Sequence, residues 1–356
     1  MFFCGMDLAL KKCNKQNNRM KTIIKRRLES ICNWLQRFIL SDKSLKCKVV
    51  YGPVRSRKLG LVLGINNIKN NLCSYDCIYC PNGGTSCCTI CSNNCLSPYE
   101  LFFSVRNKIE EISSSGKKID YILFAGKGDP VLDTNLPEEI SILREFGYKI
   151  AVYTNSALLW NENIRENLMF ADYVLLKVDT VNEDTWLKIN RPHQRLRYNL
   201  ILDGIEKFAQ NFKGKLVTET TLVKNINDNE TEIENLSKIL NNLNIETCFF
   251  TIPIYSPSEN YAVGPDELTL QKLSEKIIQL IPNAKLLCCP KEDEFYATGD
   301  FEEELLGLLE LHPVSEDAVL KFAGGSAKNE ELNQMLINKI IKTDQFNGKN
   351  YYTIFN

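Results

Sequence analysis

Cys73-Ser-Tyr-Asp-Cys77-Ile-Tyr-Cys80 follows an apolar run at 59–65 and precedes a second cysteine group, Cys87, Cys88, Cys91 and Cys95. Seven cysteines therefore fall within 23 residues, in a chain that has 14 in 356. No apolar run approaches the ~18 residues of a membrane span, and the start lacks the basic region and apolar core of a signal peptide. A cytoplasmic location is expected. In a reducing compartment clustered thiols point to metal or redox chemistry, not to disulfides.

The run before the motif is the first of six strand-like segments, at 59–65, 121–125, 149–154, 173–178, 216–223 and 247–252. Helical spacing fills the intervals at 98–114, 136–146, 161–170, 197–211, 230–243 and 266–281. Six βα repeats predict a parallel sheet, because each crossover helix returns the chain in the same direction. Six strands fit an open or partial barrel better than a closed one of eight. In such α/β folds ligands gather at the carboxyl ends of the strands, and the cysteine motif lies in the first of those loops.

The two ends differ from this body. Residues 1–48 carry 12 Lys/Arg against 3 Asp/Glu. Met20, Ile23, Ile24, Leu28, Ile31, Trp34, Leu35, Phe38 and Ile39 recur there at the spacing of an amphipathic helix. The basic arm reads either as a solvated face or as a contact to a polyanion such as RNA. Residues 297–356 predict helices at 302–311, 317–322 and 329–341, then a hairpin around the FNGK stretch before Tyr351 and Tyr352. That order is winged-helix-like. Its 5 Lys/Arg against 10 Asp/Glu favour a packing or protein-contact module over a reader of phosphates. The expected divisions are 1–48, 49–296 and 297–356.

Three closely spaced thiolates suit three irons of a 4Fe–4S cube and leave the fourth iron open to another ligand. Zinc competes, since Cys77/Cys80 and Cys88/Cys91 make two CxxC pairs. The position of the motif in a βα loop weighs against zinc. With only His193 and His312, and no Gly-x-Ser-x-Gly elbow, a Ser-His-Asp hydrolase is disfavoured. Arg55 and Arg57 precede the first run and read either as anion ligands or as partners of the acidic body.

C-x3-C-x2-C with an aromatic before its last cysteine resembles the radical S-adenosylmethionine (radical SAM) superfamily. The stretches YGPVRSRKLGLVLGIN (51–66), TNSALL (154–159) and KINRPH (188–193) resemble a stand-alone group of Fe–S oxidoreductases related to the wyosine-forming tRNA enzymes. The resemblance implies a partial (β/α)6 barrel, a 4Fe–4S cluster on Cys73, Cys77 and Cys80, and S-adenosylmethionine (SAM) at the open iron. It implies reductive cleavage of SAM to a 5′-deoxyadenosyl radical that abstracts hydrogen from a tRNA base, a peptide or a metabolite. An electron donor such as flavodoxin or ferredoxin is implied as partner. Ala125-Gly126-Lys127-Gly128-Asp129-Pro130 matches the superfamily's Gly-Gly-Glu-Pro segment, with Asp129 where Glu is usual. Tyr79 matches an adenine contact, and Asn155, Lys177 and Asp179 stand where ribose or methionine would be met. His193 follows Arg191-Pro192 and reads as structural or as a substrate contact.

Cys88, Cys91 and Cys95 lie outside that family pattern. They read as thiols of a surface insert or as ligands of a second Fe–S cluster or a zinc ion, with Cys87, Cys288 or Cys289 completing the set. The competing reading of the whole chain is a non-catalytic, zinc- or Fe–S-stabilised RNA-binding module.

Overall fold

The computed structural model describes residues 49–68, 71–288, 295, 300–309 and 311–355. The expected basic arm and helix within 1–48, and Cys289, lie outside the described residues. The strands are β1 (Val50–Ser56), β2 (Gly60–Ile65), β3 (Leu72–Cys73), β4 (Cys87–Cys88), β5 (Tyr121–Phe124), β6 (Lys149–Thr154), β7 (Tyr173–Lys177), β8 (Lys215–Thr221), β9 (Thr247–Thr251) and β10 (Ala284–Leu286). The helices of this region are α1 (Pro98–Ser114), α2 (Leu136–Leu143), α3 (Glu162–Leu168), α4 (Glu183–Asn190), α5 (Tyr198–Asn211), α6 (Glu230–Leu240) and α7 (Glu267–Leu280).

One sheet runs β1-β2-β5-β6-β7-β8-β9-β10. All neighbours from β2 onward are parallel, and β1 pairs antiparallel with β2. The six expected strands are its centre, so the partial barrel holds. Two strands join them at the edges. β1 contains Gly52-Pro53 and shifts register between Tyr51 and Val54, which hides its alternation in the sequence. β10 has three residues, too few for a period to show. Helix α4 is also additional; its two turns start where Asn182 accepts the Thr185 N–H.

Side chains of one parity, among them Leu123, Ala151, Tyr173, Leu175, Val217 and Phe249, pack with Leu59 and Val62 on one face of the sheet. The opposite parity, including Ile122, Phe124, Ile150, Val152, Val174, Leu176 and Phe250, belongs to the larger core shared with α1 to α7. Val54 of β1 makes an isolated antiparallel bridge with Phe295, which lies outside the strands of the sheet. Among the described residues no helix is long and apolar enough to cross a membrane.

The carboxyl-terminal elements follow the winged-helix-like order: α8 (Phe301–Leu309), β11 (Val314–Ser315), α9 (Glu316–Ala323), α10 (Ser326–Ile337), β12 (Ile341–Phe346) and β13 (Lys349–Ile354). They form a three-stranded antiparallel sheet, β11-β13-β12. Asn347 and Gly348 turn the hairpin with φ of 49° and 73°, the left-handed pair that an Asn-Gly turn supplies. A second core of Phe301, Leu305, Leu308, Val319, Phe322, Met335 and Tyr352 also takes in Tyr51 and Val54 of β1. Tyr255, after β9, stacks on His312 with ring centroids 4.7 Å apart.

Candidate active site

The cysteine loop leaves β3 and is gripped by the carboxyl ends of the barrel strands. After β7 comes α4, whose last carbonyls accept N–H groups of the loop: Ile78 N donates to Ile189 O at 2.9 Å and Asp76 N to Asn190 O at 3.0 Å. These are orphan acceptors of any helix end, so the loop serves as the cap of α4. His193 N adds a bond to Ser74 O at 3.0 Å, while the His193 ring accepts from Arg195 N. After β9, the Ser258 hydroxyl lies 3.0 Å from both Cys77 O and Ile78 O. Arg191, at φ 42°, pairs with Glu259 at 2.5 Å.

The sulfurs of Cys73 and Cys77 each face a side-chain N–H donor. Asn155 Nδ2 lies 3.2 Å from Cys73 Sγ, which also takes the Tyr75 backbone N–H. Asn190 Nδ2 lies 3.4 Å from Cys77 Sγ. The backbone of Asn82 bonds Cys80. Burial pushes all three thiols up, Cys73 to about 12, with Asp129 adding to the effect there. Buried thiols aligned to accept hydrogen bonds suit thiolates held by a cationic centre. Among the described residues no three His, Cys, Asp or Glu side chains close around one ion position. Three cysteines spaced C-x3-C-x2-C on one loop, two of them with N–H donors at sulfur, are a donor set of the kind that holds a 4Fe–4S cluster.

The glycine turn after β5 presses against the same loop. A Cβ on Gly128 would stand 1.9 Å from Leu72 O, and one on Gly126 would meet the Asn66 side chain at 2.1 Å. Asp129, 2% exposed, faces inward. Its Oδ2 accepts from Thr154 Oγ1 at 2.9 Å and Asn155 N at 3.2 Å, and its Oδ1 from Val131 N at 3.3 Å. Burial lifts its carboxyl to about 6 against the pull of those three donors.

The sheet face that carries Lys177 and Asp179 holds a chain of alternating charge. Lys58, from the β1–β2 turn, meets Glu219, which lies 3.1 Å from Lys177; Lys177 lies 3.5 Å from Asp179 and 2.6 Å from Thr221 Oγ1. Burial opposes ionisation of Glu219, but Lys58 and Lys177 outweigh it and hold the carboxyl at about 2. Burial likewise opposes charge on Lys177, and Asp179 and Glu219 overcome it to raise the ammonium. Asp179 accepts from Tyr79 OH, from Asn190 Nδ2 at 2.9 Å and from Thr221 N at 2.8 Å. The Lys177 ammonium sits 4.9 Å over the Tyr79 ring. Tyr79, Asn155, Lys177 and Asp179 thus share one site with the cysteine loop.

The second cysteine group is not gathered in this way. Cys88 pairs across the short β3–β4 ladder with Cys73 and bonds Ser74 O at 3.5 Å. Cys87 and Cys91 are exposed, Cys95 is in the core, and Cys288 bonds Phe250 O. Arg57 donates to Leu287 O at 2.8 Å. Sequence reasoning missed Thr154, Asn190, Glu219, Thr221 and Ser258. Glu219 and Thr221 share the inward parity of Val217, a readable signal, and Asn190 lies within the quoted KINRPH block.

A family model described as the radical SAM superfamily matches residues 67–236. A UPF0026 protein of Methanocaldococcus jannaschii is 36% identical over 308 residues, covering 85% of this chain and 95% of its own. This chain is a UPF0026 member of the radical SAM superfamily. A radical SAM methyltransferase from Sphaerobacter thermophilus shares the fold, with a TM-score of 0.52 at 15% identity over 65% of this chain and 67% of its own. A TYW1 structure with a lysine-pyruvate adduct aligns with a TM-score of 0.48 at 15% identity, over 74% of this chain and 90% of its own. In this radical SAM chain the matched region begins at Asn67, just ahead of the cysteine loop, and ends in α6.

Proposed function

We propose that Cys73, Cys77 and Cys80 hold a 4Fe–4S cluster with which this chain cleaves SAM and begins radical chemistry on a substrate at the barrel mouth. A cluster held by these three cysteines would supply one electron to the SAM sulfonium, and the resulting 5′-deoxyadenosyl radical would take hydrogen from the substrate. The observation that carries the reading is the pair of side-chain amide N–H groups aimed at the sulfurs of Cys73 and Cys77 in one loop.

The chain's own groups bind and orient. The turn at Gly126 and Gly128 offers backbone to the SAM ammonium, and Asp129 fixes that turn through Thr154 and Asn155. The shorter carboxylate of Asp129 is thereby accounted for, which leaves the cysteine-rich insert as the support for a non-catalytic RNA-binding module. Tyr79, held by Asp179, offers its ring to adenine. Lys177 and Asp179 are mutually neutralised and present little net charge to the methionine carboxylate or ribose. A low-potential one-electron carrier of the flavodoxin or ferredoxin class supplies the reductant. Cys88, Cys91 and Cys95 would need to move together to hold a second centre; iron near eight per chain, or four with one zinc, would reveal it.

The test is anaerobic reconstitution followed by incubation with SAM and dithionite. Formation of 5′-deoxyadenosine is expected, together with its loss in Cys73→Ala, Cys77→Ala and Cys80→Ala. A variant that cleaves SAM at the parent rate would overturn the assignment of that cysteine.

A further inference from the structure

Two of the three sulfurs take a hydrogen bond from a side-chain amide supplied by another part of the chain. Asn190 closes α4 and points Nδ2 at Cys77 Sγ; Asn155 follows β6 and points Nδ2 at Cys73 Sγ. Their surroundings fix which way each amide faces. The second Asn190 N–H goes to Asp179 Oδ2 at 2.9 Å, and a carboxylate only accepts. Asn155 Oδ1 accepts the Ala157 N–H at 2.9 Å, which only the carbonyl end can do, and its Nδ2 also reaches Ser74 Oγ at 3.0 Å. Both amides therefore present N–H, not C=O, to sulfur.

We infer that Asn190 and Asn155 set the reduction potential of the cluster, as positioning residues that act through Cys77 and Cys73. The inference rests on the reading of this loop as the cluster site. An N–H aimed at a ligating thiolate withdraws electron density from sulfur and favours the reduced state; hydrogen bonds to the sulfurs are among the determinants of such potentials. Asn190 is held to this task from behind. Asp179 fixes it, and Lys177, Tyr79 and Thr221 fix Asp179. Asn155 is tied through its backbone to Asp129, so the turn after β5 and the sulfur of Cys73 are linked by one residue. Cys80 has a backbone donor, which substitution of a side chain leaves in place.

The experiment uses the full chain, reconstituted anaerobically, as parent, Asn190→Ala, Asn155→Ala, the double variant and Asn155→Ser. Iron and sulfide are counted, and the cluster is titrated with a low-potential one-electron reductant while its reduced EPR signal is recorded. One electron enters per cluster, and no proton is needed. The expected result is iron equal to the parent with the midpoint shifted to more negative potential in each single variant. The double variant shifts further, and Asn155→Ser, which keeps a donor, recovers part of the loss. Parent-like iron with unmoved midpoints in both single variants overturns the inference. A parent chain that takes up no iron overturns the cluster reading instead. Where a variant fails to load, the parent labelled with 15N at its asparagine side chains decides. Pulsed EPR of the reduced cluster is expected to show side-chain 15N couplings, and their absence overturns the inference.

Discussion

Thr154 donates its hydroxyl to the Asp129 carboxylate across 2.9 Å, joining the end of β6 to the turn after β5. Two backbone N–H groups, of Asn155 and Val131, depend on the same carboxylate. Asp129→Ala leaves these donors unmatched and is expected to cost about 2–3 kcal/mol in denaturant unfolding. Asp129→Asn keeps the shape but sets its NH2 against one of the two backbone N–H groups, so it too should destabilise, while leaving SAM affinity nearly unchanged. A loss of about tenfold in SAM affinity for Asp129→Asn, ~1.4 kcal/mol, would mean that the carboxylate itself touches the ammonium.

Gly128 has no room for a side chain. A Cβ would stand 1.9 Å from the carbonyl of Leu72, the residue before Cys73. Gly128→Ala must push the cysteine loop away from the β5 turn, at a cost of about 1–3 kcal/mol. Thermal unfolding measures that cost, and reduced iron uptake on reconstitution reports the displaced loop. Gly83→Ala is the comparison, where nothing lies near a new Cβ but φ is 75°.

Glu219 neutralises two lysines at once. Glu219→Ala removes the shared carboxylate and leaves Lys58 and Lys177 facing each other with Asp179 as the remaining anion. A destabilisation of about 3–5 kcal/mol is expected in denaturant titration. The folded carboxyl is depressed to about 2, so its contribution is present above the unfolded value of 4.5 and is lost as pH falls through about 2. Glu219→Ala should flatten that acid limb.

Glu139 gives the opposite slope. It is fully buried in the first turn of α2, where Asn67 Nδ2 donates to it at 3.2 Å. Burial, reinforced by Asp133, raises its carboxyl from 4.5 to about 8. The native state then keeps a proton that the unfolded chain has lost. Stability from this group is full below pH 4.5 and falls as pH rises toward about 8, by up to ~1.4 kcal/mol per unit. Glu139→Gln, neutral at every pH, should unfold with less pH dependence across that window; an unchanged slope in denaturant midpoints would refute the assignment.

The barrel was legible because its six central strands are apolar and β-branched, and because their inward parity persists to the ends of the strands. The start of β6 and its end at Thr154 agree with the sequence reading, and the helix at 98–114 agrees as well. The antiparallel β1 was not legible, since Gly52-Pro53 interrupts its pattern and its partner is set by tertiary pairing. At the site, the cysteine spacing and the glycine turn were visible. The inward turn of Asp129 was not. A carboxylate beside two glycines reads as a ligand group until the nearness of Thr154, 25 residues away, is known. Asn190 escaped for a similar reason: its donor role exists only because the end of α4 is capped by a loop more than a hundred residues earlier.

Side chains fill the amino-terminal part of the sheet face that also carries Lys177 and Asp179. Tyr173, at the amino-terminal end of β7, is 1% exposed, and Lys58 from the β1–β2 turn lies over the rings of Tyr153 and Phe249. A ligand held at Lys177 and Asp179 would rest on that packed floor, so a cavity cut beneath it, as in Tyr173→Ala, would loosen the lysine and carboxylates that face the ligand.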